Sequence, residues 1–170
     1  TLAGAALLAL AAGALAAPAP ADVAVAQRAF DEATQLFRTE HFEAACDKFA
    51  VSQRLDPKLG TLLNLAICHE KIGRWALASI EYHDARSIAL AENKSERVEY
   101  ADKHIAAIAP HLALLRIQLA PENRGKLAVT LDGSALGDAA LDSEIPVDPG
   151  TRHVMATAPG ATPFTSDVRC

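Results

Sequence analysis

Aromatic residues are scarce in this chain. Five Phe, two Tyr and one Trp make up 5% of its 170 residues. A core built mainly from large rings is therefore excluded. Alanine fills much of the 51% hydrophobic share, and alanine-rich chains favour close helix packing. Long basic runs are also absent, and the formal net charge is −5. A protein that tracks phosphates usually presents a basic stripe, so no nucleic-acid partner is expected. Catalytic signatures are missing too. There is no Gly-x-Ser-x-Gly elbow and no phosphate-cradling Gly-Lys-Ser loop. Cys68-His69-Glu70 is not followed by a second histidine at the spacing a zinc protease needs. Cys68 and His69 are adjacent, so on a helix they point about 100° apart. Asp56, Asp132 and Asp148 adjoin Pro or Gly, which is turn chemistry. We expect no enzyme, no cofactor and no metal site. His41, His104, His111 and His153 read as surface residues.

What is present begins with an apolar start. Leu2 to Ala17 carries no charge and is almost all Ala, Leu and Gly. Pro18 and Pro20 follow, and the first charge is Asp22. This run matches the core of a signal peptide and is short for a membrane span. Ala14-Leu15-Ala16, or Ala19-Pro20-Ala21, offers small residues at the cleavage spacing. We read residues 1–21 as signal peptide and linker, and the protein as exported to the periplasm or cell envelope. A buried Ala-Leu helix and an uncleaved anchor remain the alternatives. Thr1 is not a methionine and Cys170 follows a strand-like run, so we treat both ends as open. A membrane contact through a segment beyond Cys170 stays open with them.

Two stretches then repeat at a spacing of 33 residues. Phe42 maps onto Trp75, Ala45 onto Ala78, Phe49 onto Tyr82 and Ser52 onto Ala85. Such a period marks stacked supersecondary units. The apolar spacing predicts helices over 27–39, 43–55, 60–72, 75–91 and 95–109. Asp56-Pro57, Gly73 and Pro110 punctuate them. Val98, Ala101, Ile105 and Ile108 share one face of the fifth helix, which suits a cap on the stack.

This pattern resembles the tetratricopeptide repeat family. The second unit carries Leu62 to His69, then Gly73-Arg74-Trp75, then Ala78, Tyr82 and Ala85. The first unit has Ala45, Phe49, Ser52 and Pro57 in register. It departs at Glu32 and Glu40, where the family often has a larger apolar residue and a glycine. The second unit has Leu90 in place of the closing proline. His69 would fill an aromatic position of the repeat. By this resemblance the concave groove is lined by Phe30, Thr34, Phe37 and Arg38 from the first unit. Leu63, Ile67, Glu70 and Lys71 line it from the second. A carboxylate clamp would need Lys and Asn where Phe30 and Thr34 stand, so an apolar groove is implied instead. Its partner would be an amphipathic helix or a hydrophobic peptide. The protein's own preceding or capping helix could cover the same residues. Asn64 matches a family asparagine that is commonly buried between helices.

Cys46 falls in the second predicted helix and Cys68 in the third. Consecutive helices of a stack touch, so the two sulfurs could meet. An oxidising compartment would let a disulfide persist. Two separate buried thiols are the alternative. Cys170 is given no role.

From Leu114 the period changes to two. Leu115, Ile117 and Leu119 alternate with Arg116 and Gln118. Leu127, Val129 and Leu131 lead into Asp132-Gly133, a hairpin signal. Ile145 and Val147, His153 to Ala158, and Phe164 to Arg169 are further strand-like runs. The fold class expected is α+β, with two domains: helical repeats over 22–111 and a small antiparallel β-sandwich over 112–170.

Val147-Asp148-Pro149-Gly150-Thr151-Arg152-His153-Val154, followed by Ala158-Pro159-Gly160, resembles the PEGA domain. The namesake tetrapeptide is absent, and Ala161 stands where an aromatic is common. The order of signal segment, repeats and this module is similar to envelope proteins of predatory and soil-dwelling deltaproteobacteria. That resemblance implies a non-enzymatic scaffold that docks a protein or peptide in the groove. The alternative is a cell-wall or surface carbohydrate binder using the β domain, for which Phe164 is the one aromatic at hand.

Overall fold

The structure, a computed structural model, describes residues 18–170. The expected signal segment and its first cleavage site lie outside the described residues. Five helices come first: α1 (Pro20–Arg38), α2 (Phe42–Leu55), α3 (Leu59–Lys71), α4 (Trp75–Ala91) and α5 (Ser95–Ile108). A short 3-10 turn, Ala109–His111, leads to six strands. These are β1 (Ala113–Leu115), β2 (Ala128–Leu131), β3 (Ser134–Leu136), β4 (Ile145–Val147), β5 (Thr151–Thr157) and β6 (Phe164–Arg169). No helix of the described residues is long and apolar enough to cross a membrane.

α1 begins at Pro20, inside the stretch read as linker, because proline suits the first helical position and Asp22 complements the helix dipole. Its buried residues are Ala26, Ala29 and Ala33. Against this small-residue stripe α2 sets Ala45, Cys46 and Phe49. Ala33 and Ala45 are both 0% exposed, which is what lets the two backbones approach closely. α3 and α4 repeat the arrangement with Ala66, Ala78 and Tyr82, and Ile108 of α5 closes that core.

α1, α3 and α4 end in the same way. Glu40, Gly73 and Asn93 take left-handed φ values of 62°, 75° and 55°. In each turn the next amide reaches the carbonyl five residues back: His41 to Leu36, Arg74 to His69, Lys94 to Ala89, all at 2.9 Å. This is a Schellman turn, for which glycine is the usual residue. Glu40 makes it without glycine's freedom. Glu32 is equally well explained: it is exposed and pairs with Lys48 of α2 at 2.5 Å. That ion pair holds its carboxyl below the usual carboxylate range.

The strands form two antiparallel sheets. One pairs β1 with β4, Ala113 opposite Val147. The other has the order β3-β2-β5-β6. Leu115, Val129, Leu131, Val147 and Val154 from both sheets share one core. Asp132 (φ 49°) and Gly133 (φ 80°) turn β2 into β3, as the Asp-Gly signal predicts. The expected single strand through Leu115, Ile117 and Leu119 is cut short at Leu115. Ile117 and Leu119 still pack on the core, but outside a ladder.

Helical region and β module touch directly. None of the five helices has a side-chain cap from its own N-cap residue. At α4 the Ala76 amide donates instead to Oδ1 of Asp148, 72 residues away, at 2.8 Å. Ala76 is the second residue of α4, the position a capping oxygen normally serves. Beside it the rings of Trp75 and His111 stack at 4.4 Å.

Candidate functional site

The helix pairing brings Cys46 and Cys68 together as a disulfide, with Cα atoms 5.4 Å apart. Both cysteines are almost fully buried. The bond ties α2 to α3, which are joined otherwise by the Asp56-Pro57 turn. One helical turn from each cysteine lies a residue of an apolar hollow: Phe49 from Cys46, Asn64 from Cys68.

That hollow has a volume of about 270 Å³. Phe30, Phe37 and Phe49 form its apolar wall with Ile67, while Thr34, Arg38 and Asn64 complete it. Phe30 and Phe49 meet edge to face at 5.5 Å, so their rings are held by each other. Phe37 is held in the same way by Phe42, at 5.0 Å. Three of the five Phe residues of an aromatic-poor chain thus line one opening. A second hollow of about 250 Å³ adjoins it, sharing Phe30 and Asn64. Its other residues include Gln27, Ser52, Asp56, Lys58 and Thr61. Lys58 pairs with Asp56 at 2.6 Å, so this neighbour, of mixed polar and apolar lining, is locally neutral.

Five of the eight residues expected in a groove, Phe30, Thr34, Phe37, Arg38 and Ile67, therefore surround one opening. The other three do not line it. Leu63 is 3% exposed and packs with Leu62, Ala66, Tyr82 and Ile108; it belongs to the core. Lys71 is exposed at the end of α3. Glu70 turns toward α4 and α5. Its Oε2 accepts from the Tyr82 hydroxyl at 2.7 Å and lies 2.7 Å from Nδ1 of His104. Helix α3 is covered on most sides, with seven of its 13 residues buried, so little of it can face a groove.

The same cluster corrects the reading of His104 as a surface residue. Its ring lies 5.0 Å from that of Tyr82 and 4.4 Å from that of Tyr100. Burial, then the Glu70 carboxylate, pushes the Tyr82 phenol well above its ordinary value. Tyr100 shifts the same way, for the same two reasons in the same order. The hydroxyl of Tyr82 therefore stays a donor that joins α3 to α4. His69, 7% exposed, is held by Glu81 at 2.8 Å. These groups are consumed by one another across three helices, which is structural work. Among the described residues no group of three or more His, Cys, Asp or Glu is arranged to hold a metal ion.

Asn64 is half-buried, and its side-chain amide makes no hydrogen bond among the described residues. It is thus only partly buried, not enclosed between helices as the matching family asparagine commonly is. It sits on the ridge between the two hollows, with its amide free.

No protein-family model matches the chain, and no curated protein matches it.

Proposed function

We propose that this chain is an exported, non-enzymatic scaffold of the bacterial cell envelope that docks a protein segment against α1, α2 and α3. In this reading α1–α4 are two tetratricopeptide-type units, α5 is their cap, and the strands form a PEGA-like sandwich that serves as spacer or surface contact. The 33-residue repeat of helices and of left-handed turns supports the first assignment. The disulfide supports an oxidising compartment.

The observation that carries the function is the phenylalanine-lined hollow. Phe30 and Phe37 are half-buried above the buried Phe49, and an apolar hollow with a few polar groups on its rim gives a docking segment orientation as well as affinity. A carbohydrate-binding role for the β module has less support. Phe164, 64% exposed, is its one aromatic side chain, and sugar stacking would want a second ring beside it.

The test is a plug. Thr34 lines the hollow without belonging to the core, so Thr34→Trp fills the opening at the cost of one hydrogen bond within α1, from the Thr34 hydroxyl to the Phe30 carbonyl. The full chain should capture a defined set of proteins from envelope extract. The variant should lose that set while far-UV helicity and melting stay unchanged. Undiminished capture by a folded Thr34→Trp chain would move the docking face elsewhere and end this proposal.

A further inference from the structure

Resting on that reading, we infer that the hollow takes a short extended peptide with one bulky apolar anchor and acidic residues beside it. Three observations lead there. The first is size. A cavity of about 150 Å³ already holds a benzene ring. The hollow of about 270 Å³ suits one aromatic or long aliphatic side chain, not the three or four anchors of an amphipathic helix. The second is the neighbouring hollow. It continues the groove along α1 from Arg38 back to Gln27. That run is about 17 Å of helix, and an extended peptide covers it in about five residues. The free amide of Asn64 lies midway, where it can pair with the backbone of such a peptide.

The third observation is charge. Arg38 and Lys71 are exposed, and neither forms an ion pair among the described residues. They occupy equivalent positions of the two repeated stretches, at the last residue of α1 and of α3. Arg74, exposed and equally unpaired, follows at the start of α4. Arg38 is thus a free cation in the lining at one end of the groove, and Lys71, outside the lining, is its counterpart in the second repeat, in a chain whose net charge is −5. The other end, where Lys58 is neutralised by Asp56, carries none. Carboxylates of the peptide meet Arg38 and Lys71, its anchor enters between Phe30, Phe37 and Phe49, and its uncharged end lies along the neighbouring hollow.

Fluorescence anisotropy on the full chain tests this with three synthetic peptides. The first has a Leu-Phe core flanked by glutamates, the second has the same core flanked by lysines, and the third keeps the glutamates and replaces the core by serines. The first should bind, and more weakly as salt rises. The other two should bind at least roughly tenfold more weakly, and Arg38→Glu with Lys71→Glu should weaken the first by roughly tenfold and strengthen the second. Both substituted side chains are exposed, so folding is preserved. Equal binding of the first two peptides, lost together in Thr34→Trp, would overturn the charge assignment and leave the docking proposal standing. Failure of all three peptides would overturn this inference and leave the docking proposal to the Thr34→Trp capture test. A dimer in sedimentation that the first peptide cannot displace would make a second copy the occupant and overturn the inference.

Discussion

The helical region and the β module of this chain solve the same packing problem with different means. In the helices the core reaches zero exposure at Ala33, Ala45, Cys68, Tyr82 and Ala89. Small residues let the backbones close, one disulfide joins the middle pair, and a half-buried Glu70–Tyr82–His104 cluster joins the last three helices. In the β module the best buried residues, Val129 and Val147, are still 3% and 4% exposed, and no aromatic helps. Its charges sit outside, as Arg116–Glu144, Arg124–Asp142 and Arg152–Asp132, pairs that contribute little. Fewer than sixty residues cannot bury much surface on their own. The module therefore gains from leaning on α4 through Asp148 and the Trp75–His111 stack.

The largest expected effect that separates the two regions is reduction of Cys46–Cys68. The bond closes a loop of 22 residues in sequence separation. Its loss, by reductant or as Cys46→Ala with Cys68→Ala, should cost the helices about 3 kcal/mol. Hydrogen exchange should quicken across α2–α4 and leave β2 and β5 as they were. Equal loss of protection in the strands would mean that the two regions fold as one unit.

Asp148→Ala sharpens the same comparison from the other side. Removing a capping oxygen typically costs about 1 kcal/mol. Here the cap crosses the boundary, so calorimetry should show the helical and β transitions further apart in the variant than in the parent. Unchanged transitions would show that the contact does not couple the regions.

The smallest effect lies within the helices. Glu40 holds a left-handed φ of 62° where the equivalent residue of the second repeat is Gly73. A non-glycine residue there costs about 1 kcal/mol, partly offset by glycine's greater freedom when unfolded. Glu40→Gly should stabilise the helices by about 0.5 kcal/mol in denaturant titration. A destabilised variant would mean that the Glu40 side chain makes a contact that matters more than its backbone.

Much of this was readable in the residues. Helix limits followed from the 3.6-residue period and from Pro57, Gly73 and Pro110, because those residues restrict the backbone locally. α4 and β6 came out at their observed ends. The cysteine pair could be anticipated because neighbouring helices of a repeat must touch. Less readable was which side of a helix faces water. Leu63 and Glu70 looked like groove residues, yet a helix covered on most sides gives no polar stripe from which to tell groove from core.

The sequence alone determined the local features: five helices and their stops, the left-handed turn at Gly73, the Asp-Gly hairpin, the change from period 3.6 to period 2 near residue 114. Each depends on torsions and side chains within a few residues of one another. Apart from the cysteine pair, tertiary structure decided what joins distant parts of the chain. It turned His104 inward against Tyr82, sent Asp148 across to cap α4, and gathered Phe30, Phe37 and Phe49 around one opening. Those outcomes depend on the angle and register at which finished elements pack. No spacing in the sequence encodes such an angle, because it is set by the summed fit of many small contacts.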